Sequence, residues 1–129
     1  LCGSVPSGFL AGRLRGVDLR KEGSGNIGAT NALRVLGKTW GYGVFAADFV
    51  KGILGVVVAQ QLGKAAGVTP GVMADLFGVV GAFFVVVGHM FPVWLGFNGG
   101  KGIATSGGII IALYPWPVFA FGLFCWMFL

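Results

Sequence analysis

The sequence predicts an all-α integral membrane protein, a polytopic bundle of transmembrane helices with short half-helices and cytoplasmic glycine-rich loops. Composition is the first reason: 56% of the 129 residues are hydrophobic and only 10% are charged, with a mean hydropathy of +0.88. A soluble domain of this length cannot hide so much apolar surface. Length is the second reason, because a helix needs about 20 apolar residues to cross a bilayer and two runs reach that length.

The first half of the chain holds two apolar segments separated by a polar loop. Residues Leu1–Leu14 are predicted to be the second part of a first span, and residues 15–39 form the loop. Trp40–Leu62 is long enough for a full span, although it contains Asp48 and Lys51. Charges inside a membrane are costly, so this i, i+3 pair is expected either to form an ion pair or to line a polar cavity.

The second half begins with a short loop, Gly63–Gly71, and continues with a span over Val72–Phe91. The next loop is Pro92–Lys101. Ile103–Leu113 would extend only about 16 Å as a helix, roughly half of the membrane. We therefore predict a short helix at this position.

The end of the chain allows two interpretations. The prolines and aromatic residues of Tyr114–Pro117 suit a turn at the membrane interface, which a truncated fifth span would follow from Val118. A single kinked span over residues 105–127 is the alternative. Because the chain begins at Leu1 without a methionine and ends inside an apolar run, we interpret residues 1–129 as a single transmembrane domain truncated at both ends.

The formal net charge of +5 is unevenly distributed and predicts the orientation. Most lysines and arginines precede residue 40, so the loop 15–39 should be cytoplasmic, and alternation then places 63–71 outside and 92–102 inside. No soluble basic face is present for nucleic acid, so anionic lipid or phosphate is the expected partner. The glycine-rich clusters Ser24–Arg34 and Gly96–Gly102 then share one face.

The first cluster, Ser24–Arg34, is predicted to enter a short helix, with Asn26 or Ser24 as its N-cap. Free N–H groups and the positive end of the helix dipole favour an anion at such a terminus. On this helix Asn26, Thr30 and Arg34 would share a face, and the guanidinium would face phosphate. The alternative is an interfacial amphipathic helix whose Arg34 contacts anionic headgroups.

The second cluster reads Gly-Phe-Asn-Gly-Gly-Lys-Gly over Gly96–Gly102. Successive glycines let backbone N–H groups converge on an anion, and Lys101 adds a point charge. The cluster is not a Walker A motif, because Leu95 and Gly102 break the required spacing. Thr105 in the following helix adds a hydroxyl donor. The alternative is a flexible loop whose lysine only marks the cytoplasmic side.

His89 lies at the cytoplasmic end of its span, next to the second cluster. A histidine there can serve as a general base or donate a hydrogen bond to phosphate; the alternative is an ordinary interface residue. Cys2 and Cys125 lie in apolar context without metal-ligand spacing, so we interpret them as buried thiols and predict no metal site.

Two long segments resemble the signatures of a known family, the bacterial acyl-phosphate:glycerol-3-phosphate acyltransferases of the PlsY type. Ser24–Arg34 is similar to the first signature, and Gly88–Pro92 followed by Phe97–Thr105 is similar to the second. Asp48–Gly52 fits the family pattern between them. The resemblance extends over essentially the whole chain.

The resemblance implies a multi-span enzyme of the bacterial inner membrane with cytoplasmic active-site loops. Such an enzyme transfers a fatty acyl group from acyl-phosphate to the 1-hydroxyl of glycerol 3-phosphate, giving lysophosphatidic acid and inorganic phosphate in phospholipid synthesis. Acyl-phosphate is already activated, so neither a metal nor another cofactor is implied. The expected partners are acyl-phosphate, glycerol 3-phosphate and membrane lipid.

The resemblance also implies roles for individual residues. Ser24 and Arg34 match positions important for activity, and the glycines of the second signature match positions that bind glycerol phosphate. Together with the chemistry of the side chains, this predicts a catalytic set of Ser24, Arg34, Lys101 and His89. The predicted phosphate-binding set is Asn26, Gly28, Thr30, Asn31, Lys51, Gly99, Gly100, Gly102 and Thr105.

Two departures from the family pattern limit these assignments. Asn98 stands where the family commonly has a basic residue, which weakens one phosphate contact. A third signature with histidine, asparagine and glutamate is expected beyond Leu129. The proton acceptor is therefore open among His89, a histidine of that signature and a substrate phosphate oxygen.

Two other classes of protein fit parts of the pattern. A small membrane transporter or channel would use Asp48 and Lys51 as an ion pathway and glycines as hinges. A membrane scaffold would use the glycines only for close helix contact. The transporter predicts flux without product, and the scaffold predicts tolerance of substitutions at Ser24 and Arg34.

Overall fold

The computed structural model describes residues 2–68 and 71–114 of the chain. Within those residues all regular secondary structure is helical. The α-helices are α1 (Ser7–Leu14), α2 (Ala29–Leu36), α3 (Lys38–Ala65), α4 (Val72–Met90) and α5 (Ile103–Leu113), and short 3₁₀ turns cover Cys2–Ser4 and Val93–Leu95.

The longest helix, α3, is the element against which the others pack. Its buried residues recur every three or four positions and so form one stripe along the helix. They are Gly41, Val44, Asp48, Lys51, Gly52, Gly55, Val56 and Gly63. Half of them are glycines, which let neighbouring helices approach closely, and two are charged, which brings polar chemistry into the interior.

Two helical stretches in the described part of the chain are long and apolar enough to cross a membrane. They are Lys38–Ala65, with 28 residues, and Asp75–Leu95, with 21, which continues from α4 into the second 3₁₀ turn. In the most apolar 18-residue segment of each stretch, only 33% and 28% of the residues, respectively, are buried inside the protein. Large apolar side chains such as Leu54 and Phe83 are exposed. Apolar helices so incompletely covered by protein suit a lipid environment.

Close backbone contact fixes α5 against α3. A Cβ atom on Gly52 would overlap the carbonyl oxygen of Thr105, and one on Gly108 would overlap that of Phe49. Glycine is thus required on both sides of the α3–α5 contact. Because α5 begins directly after the second glycine cluster, this contact fixes the position of that cluster relative to α3.

Two small apolar clusters complete the interior of the described residues. One, under the polar loop, contains Ala11, Leu19, Ala32 and Val44, with Trp40 packed against it. The other lies between α3, α4 and α5 and contains Val56, Ala82, Val85 and Ile109. The helix α3 contributes to both clusters and so connects the loop region to the membrane-spanning part.

The start of α2 differs from the sequence prediction. The helix begins at Ala29 with Gly28 at the N-cap position, and neither Ser24 nor Asn26 caps it. The reason is local competition: the Asn26 side chain accepts the Gly28 N–H in a turn of its own. The prediction that Asn26 shares a helical face with Thr30 and Arg34 is therefore wrong, because Asn26 precedes the helix.

Other boundaries match the prediction to different degrees. Leu1–Leu14 does not form one continuous helical segment in its described part, because the chain breaks at Pro6 between the first 3₁₀ turn and α1. The helix α3 extends beyond the predicted Trp40–Leu62 at both ends. The predicted short helix Ile103–Leu113 is confirmed as α5.

Some predictions concern residues that the structure does not describe. These are the fifth span from Val118, the alternative kinked span over 105–127 beyond residue 114, and most of the predicted turn Tyr114–Pro117. Cys125 also lies outside the described residues. For Cys2 the prediction of a buried thiol is wrong, because this residue is exposed in the first 3₁₀ turn.

Candidate active site

The loop before α2 is organised by one buried side chain, Asn31, which is 2% exposed. Its Oδ1 accepts the backbone N–H of Ser24 at 2.9 Å. Its Nδ2 lies 3.2, 3.0 and 2.8 Å from the carbonyl oxygens of Leu19, Glu22 and Asn26, so its two N–H bonds serve three acceptors and one N–H is shared. A single amide thereby satisfies four backbone groups and fixes Ser24 close to the start of α2.

The helix α2 presents two of the predicted site residues on one face. Thr30 and Arg34 are four residues apart, so their side chains are neighbours on the helix surface. Gly28 precedes them at the N-cap position in an extended conformation. Gly28, Thr30 and Arg34 all line the cavity described below, so the start of α2 and one face of the helix border the same space.

The second glycine cluster folds back onto the end of α4. The N–H of Gly99 donates to the carbonyl of Met90 at 3.0 Å, and the N–H of Gly100 donates to that of His89 at 3.2 Å. A Cβ atom on Gly100 would overlap the imidazole of His89. Gly102 has a φ of +78°, a conformation that favours glycine, and it leads directly into α5.

The two loops meet at a cavity of about 310 Å³. The loop before α2 and α2 itself contribute Ser24, Asn26, Gly28, Ala29, Thr30, Asn31 and Arg34 to its lining. The second loop and the start of α5 contribute Lys101, Gly102, Ile103 and Ala104, and Phe45, Asp48 and His89 complete it. Residues separated by more than 70 positions in the sequence thus surround one space.

A buried polar cluster lies at the α3 side of the cavity. Three groups approach the same oxygen, Oδ1 of Asp48: the Ser7 hydroxyl donates to it, Lys51 Nζ lies 2.7 Å away and His89 Nδ1 lies 3.7 Å away. Lys51 Nζ also donates to the carbonyl of Val5 at 2.9 Å. The cluster joins the segment before α1 to α3 and α4.

Most predicted site residues line the cavity, and four do not. All four members of the predicted catalytic set line it, as do the phosphate-binding candidates Asn26, Gly28, Thr30, Asn31 and Gly102. Lys51 lies behind the lining in its contact with Asp48, and Gly99 and Gly100 lie against the end of α4. Thr105 is fully buried, with a hydroxyl that has no hydrogen-bond partner within the described residues. The phosphate-binding role of each of these residues stays a prediction.

Several contributors to this region are outside the predicted site sets: the lining residues Ala29, Asp48, Ile103 and Ala104, and, less expectedly, Ser7 and Phe45. Ser7 was not singled out, because a serine near the start of an apolar segment carries no motif that points to a carboxylate 41 residues away. Phe45 was missed because an aromatic residue in a span is ordinarily lipid-facing. Its spacing of three residues from Asp48 was the one available signal, since it puts both on one face of α3.

The electrostatics of the cavity favour an anionic ligand. Two cationic side chains, Arg34 and Lys101, line it, and the carboxylate among its lining residues, that of Asp48, is already paired with Lys51. Arginine offers a planar fork that matches phosphate oxygens, and lysine offers a compact charge. Phe45 and Ile103 add apolar walls, so the cavity can accept a ligand with a charged and an apolar part.

A second, wider groove of about 700 Å³ borders the same two loops and contains Asp18, Arg20 and Phe97. Its two cations are Arg20 and Lys21. Arg20 is engaged within the protein: it forms a 2.8 Å ion pair with Asp18 and lies 4.8 Å from the ring centre of Phe9. Hydrogen bonding from Arg20 lowers the pKa of the Asp18 carboxyl to about 2. Lys21 is then the one cation of the groove lining outside this ion pair, against Arg34 and Lys101 in the first cavity, so the groove offers less uncompensated positive charge.

The fold and the cavity together define a helical membrane protein with a cationic site between two loops. The whole chain, residues 1–129, matches the model of the family described as Glycerol-3-phosphate acyltransferase, and the chain belongs to that family. The resemblance deduced from the two signatures is thereby confirmed. The all-helical integral membrane fold is confirmed as well, because the similar solved structures are those of an integral membrane protein.

Curated relatives carry the same family name. A glycerol-3-phosphate acyltransferase of Synechococcus elongatus is 53% identical over 116 residues, which cover 89% of this chain and 55% of the relative. One from Anaeromyxobacter sp. (strain Fw109-5) is 50% identical over 121 residues, covering 93% of this chain and 57% of the relative. The chain thus spans little more than half the length of these relatives.

Two solved structures are similar to this fold. Both are of PlsY (YgiH), an integral membrane glycerol 3-phosphate acyltransferase. The glycerol 3-phosphate form is 40% identical, with a TM-score of 0.74, covering 98% of this chain and 62% of that chain. The lysphosphatidic acid form is 39% identical, with a TM-score of 0.71, covering 98% of this chain and 61% of that chain.

Proposed function

We propose that the complete protein carrying this chain transfers a fatty acyl group from acyl-phosphate to the 1-hydroxyl of glycerol 3-phosphate. The observation that supports this most is the meeting of two glycine-rich loops at one cavity that contains Arg34, Lys101 and His89. Family membership supports glycerol 3-phosphate as the acceptor. The forms of the similar PlsY structures, with glycerol 3-phosphate and lysphosphatidic acid, correspond to the acceptor and product of this reaction.

The two cations of the cavity would bind the two phosphate groups that the substrates bring. Arg34 offers a bidentate fork, and Lys101 offers a point charge. Ser24 and Thr30 supply hydroxyl donors at the start of α2. Such positioning brings the acceptor hydroxyl against the acyl carbon and removes much of the entropic cost of the bimolecular step.

The chemical step is a direct acyl transfer. The 1-hydroxyl oxygen of glycerol 3-phosphate attacks the acyl carbonyl carbon, and the carbon–oxygen bond to phosphate breaks. Phosphate leaves with the bonding electron pair and takes up the hydroxyl proton on one of its oxygens, either directly or by way of a histidine such as His89. The Ser24 hydroxyl, which lies at the cavity, would donate a hydrogen bond to the oxyanion of the tetrahedral intermediate. A new ester, lysophosphatidic acid, and inorganic phosphate result.

The environment of the site suits a lipid-linked donor. The apolar walls formed by Phe45 and Ile103 would receive the start of the acyl chain, whose remainder extends into the bilayer. The excess of lysine and arginine before residue 40 supports an active site at the cytoplasmic face of the bacterial inner membrane.

The test uses the complete natural chain in detergent or lipid mesophase, supplied with acyl-phosphate and glycerol 3-phosphate. We expect phosphate release that requires both substrates, together with lysophosphatidic acid. Arg34→Ala should lower product formation at subsaturating substrate by about 10- to 100-fold, whereas Arg15→Ala, which removes an exposed arginine outside the cavity lining, should not. Product formed from an acyl thioester but not from acyl-phosphate would overturn the proposed donor. Phosphate or ion flux without product would favour a transporter instead.

A further inference from the structure

We propose that the acyl chain of the substrate leaves the cavity sideways, over an apolar strip on the outer edge of the α3–α5 contact, and that Gly107 sets how closely the chain follows this strip. The residues of this α3–α5 strip are Phe45, Phe49, Ile53, Ile103, Gly107 and Ile111. The inference rests on the proposed function, because it assumes a substrate whose phosphate is bound in the cavity and whose fatty acyl group is not. It adds the route of the chain and a residue that determines specificity for the chain.

The cavity is too small to enclose a whole fatty acyl donor together with the acceptor. Its volume of about 310 Å³ is at the lower end of the range for sites that hold one small ligand. Two phosphate groups and the reacting carbonyl would occupy such a space, so most of the acyl chain must lie outside it. The largest apolar side chains of the lining, Phe45 and Ile103, mark the side on which the chain leaves.

Close backbone contact prevents the chain from passing between α3 and α5. A Cβ atom on Gly52 would overlap the carbonyl oxygen of Thr105, and one on Gly108 would overlap that of Phe49. Thr105 directly follows the lining residue Ala104, so the two backbones touch immediately next to the cavity. The chain therefore has to pass over the edge of the α3–α5 contact.

Apolar residues at four-residue intervals form the strip at that edge. Residues four positions apart lie on one face of a helix. One series starts at Phe45 on α3 and the other at Ile103 on α5, and these two residues are 48% and 75% exposed. The half-buried residues that follow are Phe49 and Ile53 on α3, and Gly107 and Ile111 on α5. Eight residues of helix extend about 12 Å, which is most of one leaflet of a hydrocarbon core about 30 Å thick.

Phe49 and Gly107 bring the two series into contact. The rings of Phe45 and Phe49 are stacked with their centres 5.9 Å apart, so they form a continuous aromatic wall. A Cβ atom on Gly107 would lie 3.3 Å from Cε2 of Phe49, which is closer than the optimal separation of two carbon atoms. Gly107 therefore keeps the space beside the ring open, and a larger residue there would displace either the ring or the acyl chain.

A strip that is open to lipid predicts a weak dependence on chain length. A chain that extends along the strip meets no end wall, and the lipid tails that it displaces are as apolar as the chain itself. A closed pocket would discriminate against one surplus methylene group by about tenfold or more. We therefore expect kcat/KM of the complete protein to differ by less than about tenfold between myristoyl and stearoyl phosphate. A sharp maximum at one chain length would overturn the open route.

Gly107→Leu tests the strip through the length of the donor. It should raise KM for palmitoyl phosphate by about tenfold and leave KM for butyryl phosphate unchanged, because the short chain ends before this residue. Gly43→Leu is the matched control, since a Cβ atom there meets nothing within 4 Å, and it should change neither KM. Gly107→Ala is the milder variant if leucine prevents folding. An equal loss with both donors would show that Gly107 only supports the fold, and no loss with either would show that the chain lies elsewhere.

A labelling experiment requires no turnover and so separates this inference from the proposed function. The probe is hexadecyl phosphate with a photoreactive diazirine in the first half of its chain, and the labelled residues of the complete protein are identified by mass spectrometry. We expect labelling within residues 45–53 to exceed labelling at Phe83 and Phe84, an exposed aromatic pair on α4. Excess inorganic phosphate should remove this difference, and a neutral hexadecanol probe should label both regions to a similar extent.

The two proposals fail in different ways. If the complete protein makes no lysophosphatidic acid but the phosphate probe still labels the strip selectively, the proposed reaction is wrong and the strip remains a binding site for an alkyl phosphate. If lysophosphatidic acid is formed while the probe labels α4 as strongly as α3, the function stands and the route of the chain is wrong.

Discussion

The backbone N–H of Ser24 donates to Oδ1 of Asn31 at 2.9 Å, across seven positions of the chain. This bond ties the predicted catalytic serine to the buried face of α2. The same amide donates to three carbonyl groups of the preceding loop. The position of Ser24 therefore depends on a side chain that points away from solvent.

Replacing Asn31 should loosen the loop before it affects the membrane-spanning part. Asn31→Asp keeps the acceptor for Ser24 but removes the donors to three carbonyls, and Asn31→Leu removes both. Each buried group left unsatisfied costs about 1–3 kcal/mol, so both variants should lower the unfolding midpoint, Asn31→Leu more strongly. Hydrogen exchange at the Ser24 amide should accelerate most in Asn31→Leu. Asn98→Ala, at an exposed amide, is the control, and equal exchange rates in all variants would contradict this role.

Arg34 should act through the planar, bidentate hydrogen bonding of its guanidinium group as well as through its positive charge. We expect Arg34→Ala to raise KM for glycerol 3-phosphate or acyl-phosphate by about 10- to 100-fold, since a hydrogen bond to a charged group is worth about 1.5–3 kcal/mol. Arg34→Lys should recover only part of this loss, because lysine cannot make the bidentate contact. Steady-state kinetics in the complete chain provide the measurement. Full recovery by lysine would mean that charge alone matters.

Gly100 should tolerate no side chain, because a Cβ atom would overlap the His89 imidazole. Gly100→Ala is expected to displace the ring and the glycine loop, with a cost of about 1–3 kcal/mol from overpacking. We predict at least a tenfold fall in kcat/KM. Gly43→Ala is the matched control, since a Cβ atom there meets nothing within 4 Å. An active Gly100→Ala enzyme would show that the loop can move away from His89 without loss.

Gly52 should matter for stability because α5 packs on it. A Cβ atom at this position would overlap the backbone oxygen of Thr105, and backbone cannot rotate away as a flexible side chain can. Gly52→Ala should therefore lower the thermal unfolding midpoint in detergent, whereas Gly43→Ala should leave it unchanged or raise it, as alanine favours helix by about 1 kcal/mol over glycine. Equal thermal unfolding midpoints for Gly52→Ala and Gly43→Ala would show that the α3–α5 contact does not require glycine at position 52.

The sequence by itself determined the membrane class and the identity of the two loops. Apolar runs of bilayer length predicted α3 and α4 to within a few residues, because hydropathy depends only on local composition. The short α5 was predicted from its length in the same way. The loops were recognisable because glycine, small polar residues and single cations are rare between apolar spans, and their order matched a family signature.

Only the tertiary structure decided which side chains work together. The start of α2 at Ala29 depends on the turn that Asn26 forms with Gly28. The convergence of Ser7, Lys51 and His89 on Asp48 joins three separate elements. Periodicity places residues on a face of one helix but carries no information on which face of another helix it meets. That choice follows from close glycine contacts and from the need to pair every buried charge.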